Sequence, residues 1–77
     1  MILTVQVYAE LRPYLPDDWR DGPIALADDA TVSDLLGQLG IPAEETGLVS
    51  LDGRIVSDEQ ALRGGSEVRI FAPAGGG

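Results

Sequence analysis

Apolar and polar residues alternate from Ile2 to Tyr8: Leu3, Val5 and Val7 share one face at period two, with Thr4 and Gln6 on the other. That is the pattern of a strand with one buried face. A second, shorter strand is predicted over Pro23–Ala27, with Ile24 and Leu26 inward. The period then lengthens: Val32, Leu35, Leu36 and Leu39 follow i, i+3, i+4, i+7 spacing, one apolar stripe along a helix. Thr31 can cap its first turn, and Asp34, three residues on, can reach back in a variant of the capping box. Gly40 ends the helix and Pro42 prevents its resumption. Gly37 falls on the outer face, where glycine costs about 1 kcal/mol relative to alanine.

Beyond the helix, Pro42 to Gly47 reads as a loop or a single helical turn. Leu48–Leu51 and Arg54–Val56 are short strands joined by Asp52-Gly53, a strong hairpin signal because both residues tolerate positive φ. Ser57 with Gln60 repeats the capping pattern and predicts a short helical turn through Leu62, closed by Gly64-Gly65. The final strand is predicted over Ser66–Ala72, with Val68, Ile70 and Ala72 on one face and Phe71 on the other. Pro73 lacks a backbone donor and should stop pairing just after Ala72. The connection from Ala9 to Asp21 carries Leu11, Tyr14, Leu15 and Trp19, expected to cover one end of the core, while Pro13 and Pro16 keep it from forming a long helix.

The order is β-β-α-β-β-β, without internal repeats or a linker. One amphipathic helix must be buried by a sheet that wraps it. The simplest arrangement is an α+β fold with the β-branched first and last strands as parallel neighbours at the sheet centre. The expected division is a single domain, residues 1–72, followed by a mobile tail, residues 73–77.

Composition narrows the chemistry. The 77 residues contain no cysteine, histidine or lysine. Thiolate metal sites, iron–sulfur clusters and cysteine nucleophiles are thereby excluded, as are the commonest general base and a Schiff-base lysine. An autonomous enzyme, a bound cofactor and a resident metal are not expected. Five arginines against thirteen Asp and Glu give a net charge of −8. This disfavours nucleic acid and anionic membranes as partners, and suits solubility or steering toward a basic protein surface. The opening residues have no basic region, and their apolar run is too short for a signal peptide or a membrane span, so a cytoplasmic location is expected.

What chemistry remains lies at the end, Val68-Arg69-Ile70-Phe71-Ala72-Pro73-Ala74-Gly75-Gly76-Gly77. Glycine lets a backbone enter a channel too narrow for a Cβ. Fully extended, residues 73–77 span about 16–18 Å. A strand feeding such a tail points to the Gly77 carboxylate as the reactive group, with Gly75 and Gly76 as its flexible stalk. Phe71 and Pro73 at the tail root are candidate partner contacts. Alternatively, Phe71 packs on Tyr14 or Trp19 of the long connection, or the tail is an inert end.

The chain resembles the ubiquitin-like sulfur carriers of the MoaD/ThiS family, β-grasp proteins that include the molybdopterin synthase small subunit and the thiamine sulfur carrier. The resemblance runs through Val5–Arg12, the Ala30–Leu36 helix start, the Leu51-Asp52-Gly53 hairpin, the Leu62-Arg63-Gly64-Gly65 turn, and Val68–Gly77. Ser66 stands where the family commonly has an acidic residue and Asp52 where it commonly has Asn. Gly75 stands where a small side chain such as alanine is usual.

The resemblance implies a carrier that is not itself an enzyme. A separate activating adenylyltransferase would use ATP to convert the Gly77 carboxylate into an acyl-adenylate. A sulfur-donor protein would then supply the sulfur for a thiocarboxylate. A molybdopterin synthase large subunit, as partner in a hetero-oligomer, would take that sulfur for molybdenum or tungsten cofactor synthesis. The alternatives are a thiamine or other sulfur carrier, or a protein modifier conjugated through Gly77. As a modifier, the chain has no lysine on which to build chains of itself.

Overall fold

The computed structural model describes residues 1–73. The expectations for Gly75, Gly76 and Gly77 lie outside the described residues. The first strand, β1 (Ile2–Val7), runs into a 3-10 helix at Ala9–Tyr14 that contains Pro13, as the connection's prolines require. Strand β2 (Gly22–Ala25) follows, then α1 (Val32–Leu39) and a 3-10 turn at Ala43–Glu45. Strands β3 (Leu48–Leu51), β4 (Arg54–Val56) and β5 (Glu67–Phe71) complete the chain. The sheet order is β2-β1-β5-β3-β4, and β1 and β5 are parallel while every other pairing is antiparallel. A mixed five-stranded sheet with one helix is the expected β-grasp architecture.

The core is the set of positions that the two periodicities select. Leu3, Val5, Val7, Val68 and Ile70 from the central strands form one buried cluster with Val32, Leu35 and Leu36 of α1. Leu39 completes the stripe half-buried, and Leu11 and Leu15 of the long connection close one end of the cluster. At the helix start, the Asp34 amide donates to Thr31 Oγ1 (3.4 Å) and the Thr31 amide donates to Asp34 Oδ2 (2.9 Å), a reciprocal capping box. Gly40 ends the helix at φ 79°, and Asp52 (φ 50°) with Gly53 (φ 87°) forms the β3–β4 turn.

Four places differ from expectation, the first being that β1 ends at Val7 rather than Tyr8. The β2 strand starts at Gly22 and pairing stops at Ala25, although Leu26 is buried as expected. The last strand is shorter by one residue at each end. The Ser57–Gln60 segment is a turn rather than a helix. Its carbonyls serve α1 instead: the Ser33 amide donates to the Asp58 oxygen (2.9 Å) and the Val32 amide to the Gln60 oxygen (3.0 Å). Ala61 then forms an antiparallel bridge with Thr31. The first amides of a helix have no intrahelical acceptor, and here they recruit the carbonyls that a second helix would have used for itself.

Candidate functional site

The end of β5 is held from both sides. The Tyr8 amide donates to the Ile70 carbonyl (3.0 Å) and the Gly47 amide to the Phe71 carbonyl (2.8 Å). Neighbouring strands thus fix the backbone up to Phe71. Ala72 is half-buried against the core, on the face shared by Val68 and Ile70, and Pro73 is exposed. Pro73, two residues past the end of β5, is the last of the described residues.

That outer surface carries the side chains alternate to the core. Register aligns Gln6, Arg69, Ser50 and Ile55 across four strands, and pairs Phe71 with Leu48 in the next row. Phe71 is half-buried and stacks on Tyr8, with ring centroids 4.3 Å apart and planes at 28°. Its aromatic partner is therefore Tyr8, not the Tyr14 or Trp19 considered from the sequence. The parallel register that aligns Val7 with Ile70 brings the following residues, Tyr8 and Phe71, alongside each other. Leu48 (41%) and Ile55 (64%) are exposed on the same surface. Arg69 lies among them and pairs with Glu67 at 3.0 Å. Next to the tail root, then, is an apolar and aromatic surface with one guanidinium in it.

Sequence reasoning picked out Phe71 and Pro73 but not Tyr8, Leu48 or Gly47. Tyr8 and Leu48 could have been found by continuing the alternation of β1 and β3 to their outer faces. Gly47 carried no such signal, because its role depends on which segment passes over it.

Away from the end of β5, Asp21 is tied into the fold. Asp21 accepts from the Val7 amide (3.1 Å) and from Trp19 Nε1 (3.2 Å) on Oδ1, and from an Arg12 guanidinium nitrogen (2.8 Å) on Oδ2. Arg12 and Trp19 belong to a surface concavity also lined by Pro13, Leu15, Pro16 and Asp17. Burial pushes the Tyr14 phenol above its ordinary value, and the charges of Glu45 and Glu44 push it the same way. It therefore stays protonated at neutral pH and offers no base. Among the described residues, no group of three His, Cys, Asp or Glu could hold a metal, and no helix is long and apolar enough to cross a membrane.

The ThiS family model matches residues 5–77. The chain belongs to the ThiS family. The match takes in the sheet, the helix, the tail root and the glycines beyond it. Solved structures share the fold of this ThiS-family chain. SAMP1 from Haloferax volcanii superposes with a TM-score of 0.70 at 22% identity, covering 100% of both chains. A putative molybdopterin converting factor subunit 1 from Pyrococcus furiosus gives 0.70 at 23% identity, covering 95% of this chain and 98% of that one. The Haloferax volcanii HVO 2177 protein gives 0.71 at 25% identity, covering 100% of this chain and 87% of that one. No curated protein matches the chain in sequence.

Proposed function

We propose that this protein is a cytoplasmic sulfur carrier that acts through the carboxylate of Gly77. A separate enzyme activates that carboxylate with ATP: a carboxylate oxygen bonds to the α-phosphorus and pyrophosphate leaves. The outer sulfur of a donor-protein persulfide then attacks the acyl carbon and AMP departs, giving an acyl disulfide. A thiol attacks the donor's sulfur in that bond, forming a disulfide with the donor and releasing the thiocarboxylate. Activation is needed because an α-carboxylate, with a pKa of about 3.3–3.7, is ionised and a poor acyl donor at neutral pH. The observation that supports this reading is the extent of the family match, which continues through the glycine tail to Gly77.

The Tyr8–Phe71–Leu48 surface is the proposed docking face, for the activating enzyme and for a larger catalytic subunit that receives the sulfur. Aromatic groups at the centre of an interface supply much of its affinity, and Phe71 on this face is the last residue of β5, just before Ala72 and Pro73. The proposed recipient pathway is molybdopterin synthesis, in keeping with the converting-factor neighbour. The second reading is a protein modifier, in keeping with the neighbour described as a small archaeal modifier protein. In that case the activated Gly77 carboxyl is attacked by a lysine of another protein.

ATP–pyrophosphate exchange with the activating enzyme tests the chemistry, and deletion of Gly76 and Gly77 is the diagnostic variant. It draws the carboxylate back by about 7 Å at roughly 3.3–3.6 Å per residue. A misplacement of about 1 Å can cost a hundredfold, so exchange should be abolished while the melting temperature stays unchanged. Normal exchange by the deletion variant would reject the carrier reading. Intact mass after co-expression with the partners separates the two uses: oxygen replaced by sulfur at the C-terminus supports the carrier, and adducts with other proteins support the modifier.

A further inference from the structure

The two outer strands of the sheet present different edges. On β2, Pro23 and Ala25 turn their backbone groups away from β1, because Met1 and Leu26 exchange backbone bonds and the alternation continues from there. Proline has no amide to offer, and the Ala25 carbonyl receives Gln38 Nε2 (3.4 Å). On β4, the two-residue turn at Asp52-Gly53 makes Leu51 and Arg54 a bonded pair. Ile55, one residue on, therefore turns its N–H and C=O away from β3. Among the described residues, no hydrogen bond joins those two groups to another segment. The Ile55 side chain, 64% exposed, stands on the outer surface beside Ser50. A further strand laid here would meet a backbone donor, a backbone acceptor and an apolar side chain together.

We propose that the β4 edge takes an added antiparallel strand from a different protein, an extended segment with an apolar centre and basic ends. The charges around the edge select that chemistry. Asp52 lies before Arg54, and Asp58 and Glu59 follow Val56, all exposed, so three acids flank one guanidinium. They belong to a chain of net charge −8, whose field draws in a cationic segment. A second copy of the chain fits poorly. Antiparallel pairing of two copies through Ile55 would set Asp52 of each opposite Asp58 of the other, and like charges directly opposite destabilise a sheet. On a foreign strand, the residue facing Ile55 exchanges both backbone bonds with it, and residues three places to either side face Asp52 and Asp58. Lysine or arginine at those places completes the fit. Neither the tail nor its activation is involved, so this edge is tested apart from the carrier reading.

The test titrates isotope-labelled full-length protein, observed by NMR, with a capped peptide of sequence Lys-Thr-Val-Val-Val-Thr-Lys. Shifts should centre on the Arg54–Val56 amides, and affinity should fall as salt rises. N-methylation of the peptide's central valine removes the donor to the Ile55 carbonyl and should weaken binding roughly three- to tenfold, the contribution of one hydrogen bond. Glutamate in place of both lysines should weaken it by about tenfold. In the protein, Ile55→Pro removes the matching donor without touching a bond to β3 and should weaken binding as the methylated peptide does. Should that variant fail to fold, the methylated peptide decides alone. Absence of shifts at millimolar peptide overturns the proposal, as do shifts centred on β2 or on Tyr8 and Phe71, or equal binding by either altered peptide. Shifts at Arg54–Val56 on concentrating the protein without peptide also overturn it, because a second copy would then be the occupant.

Discussion

At the residue scale, Asp21 shows how one side chain can finish what the strands leave open. The β1–β2 register ends at Val5 opposite Gly22. The Val7 amide, farther along β1, takes its acceptor from the Asp21 carboxylate instead. Val7 is 1% exposed, so little water can replace that acceptor. Asp21→Ala should cost about 1–3 kcal/mol, the penalty for an orphaned buried donor. Arg12→Ala removes only the partly exposed ion pair to the same carboxylate, worth under about 1 kcal/mol. Urea titrations of the two variants check the ranking. Equal losses would mean that the Val7 bond contributes nothing beyond the ion pair.

At the element scale, α1 is eight residues long, so its two ends matter as much as its middle. The capping box stabilises the first turn from within the helix, and the Asp58 and Gln60 carbonyls satisfy further amides from outside it. Thr31→Ala should therefore destabilise by about 0.5–2 kcal/mol, as loss of an N-cap does. Gly37 offers the opposite case. Nothing lies within 4 Å of the β carbon that alanine would add there. Gly37→Ala should stabilise by about 0.4–1 kcal/mol, through a less flexible unfolded chain and better helix propensity. Thermal melts of both variants test this. A destabilising Gly37→Ala would contradict the open space seen at that position.

At the scale of the whole molecule, one face of the sheet is buried under the helix and the other carries the exposed Leu48 and Ile55. Val5, Val7, Val68 and Ile70 are fully buried beneath α1, whereas Phe71 beside them is half-buried against Tyr8. Phe71→Ala should cost about 1–2 kcal/mol of stability, since part of its area and a stacked pair are lost. Its affinity for the activating enzyme should fall at least tenfold, as truncation of an aromatic anchor does. Calorimetric titration of the folded variant measures this. A large loss of stability with unchanged affinity would make Phe71 a core residue and move the docking face elsewhere.

The chain's periodicities by themselves determined the helix stripe from Val32 to Leu39, the alternation in β1 and β5, and the Asp52-Gly53 turn. Each of these depends on neighbours within a few residues, where backbone geometry and burial act together. The glycine ending and the absence of cysteine, histidine and lysine were equally legible, because composition alone limits which reactive groups exist. Tertiary structure decided what depends on a second segment. The Ser57–Gln60 capping pattern gave way because the amides of α1 compete for the same carbonyls. Phe71 found Tyr8 because the parallel register of β1 and β5 sets them side by side. Gly47 looks like an ordinary loop glycine until Ala72 and Pro73 pass over it and leave no room for a β carbon. Close approach of two backbones distant in sequence leaves no mark on either one alone, so only the folded chain shows why that position has no side chain.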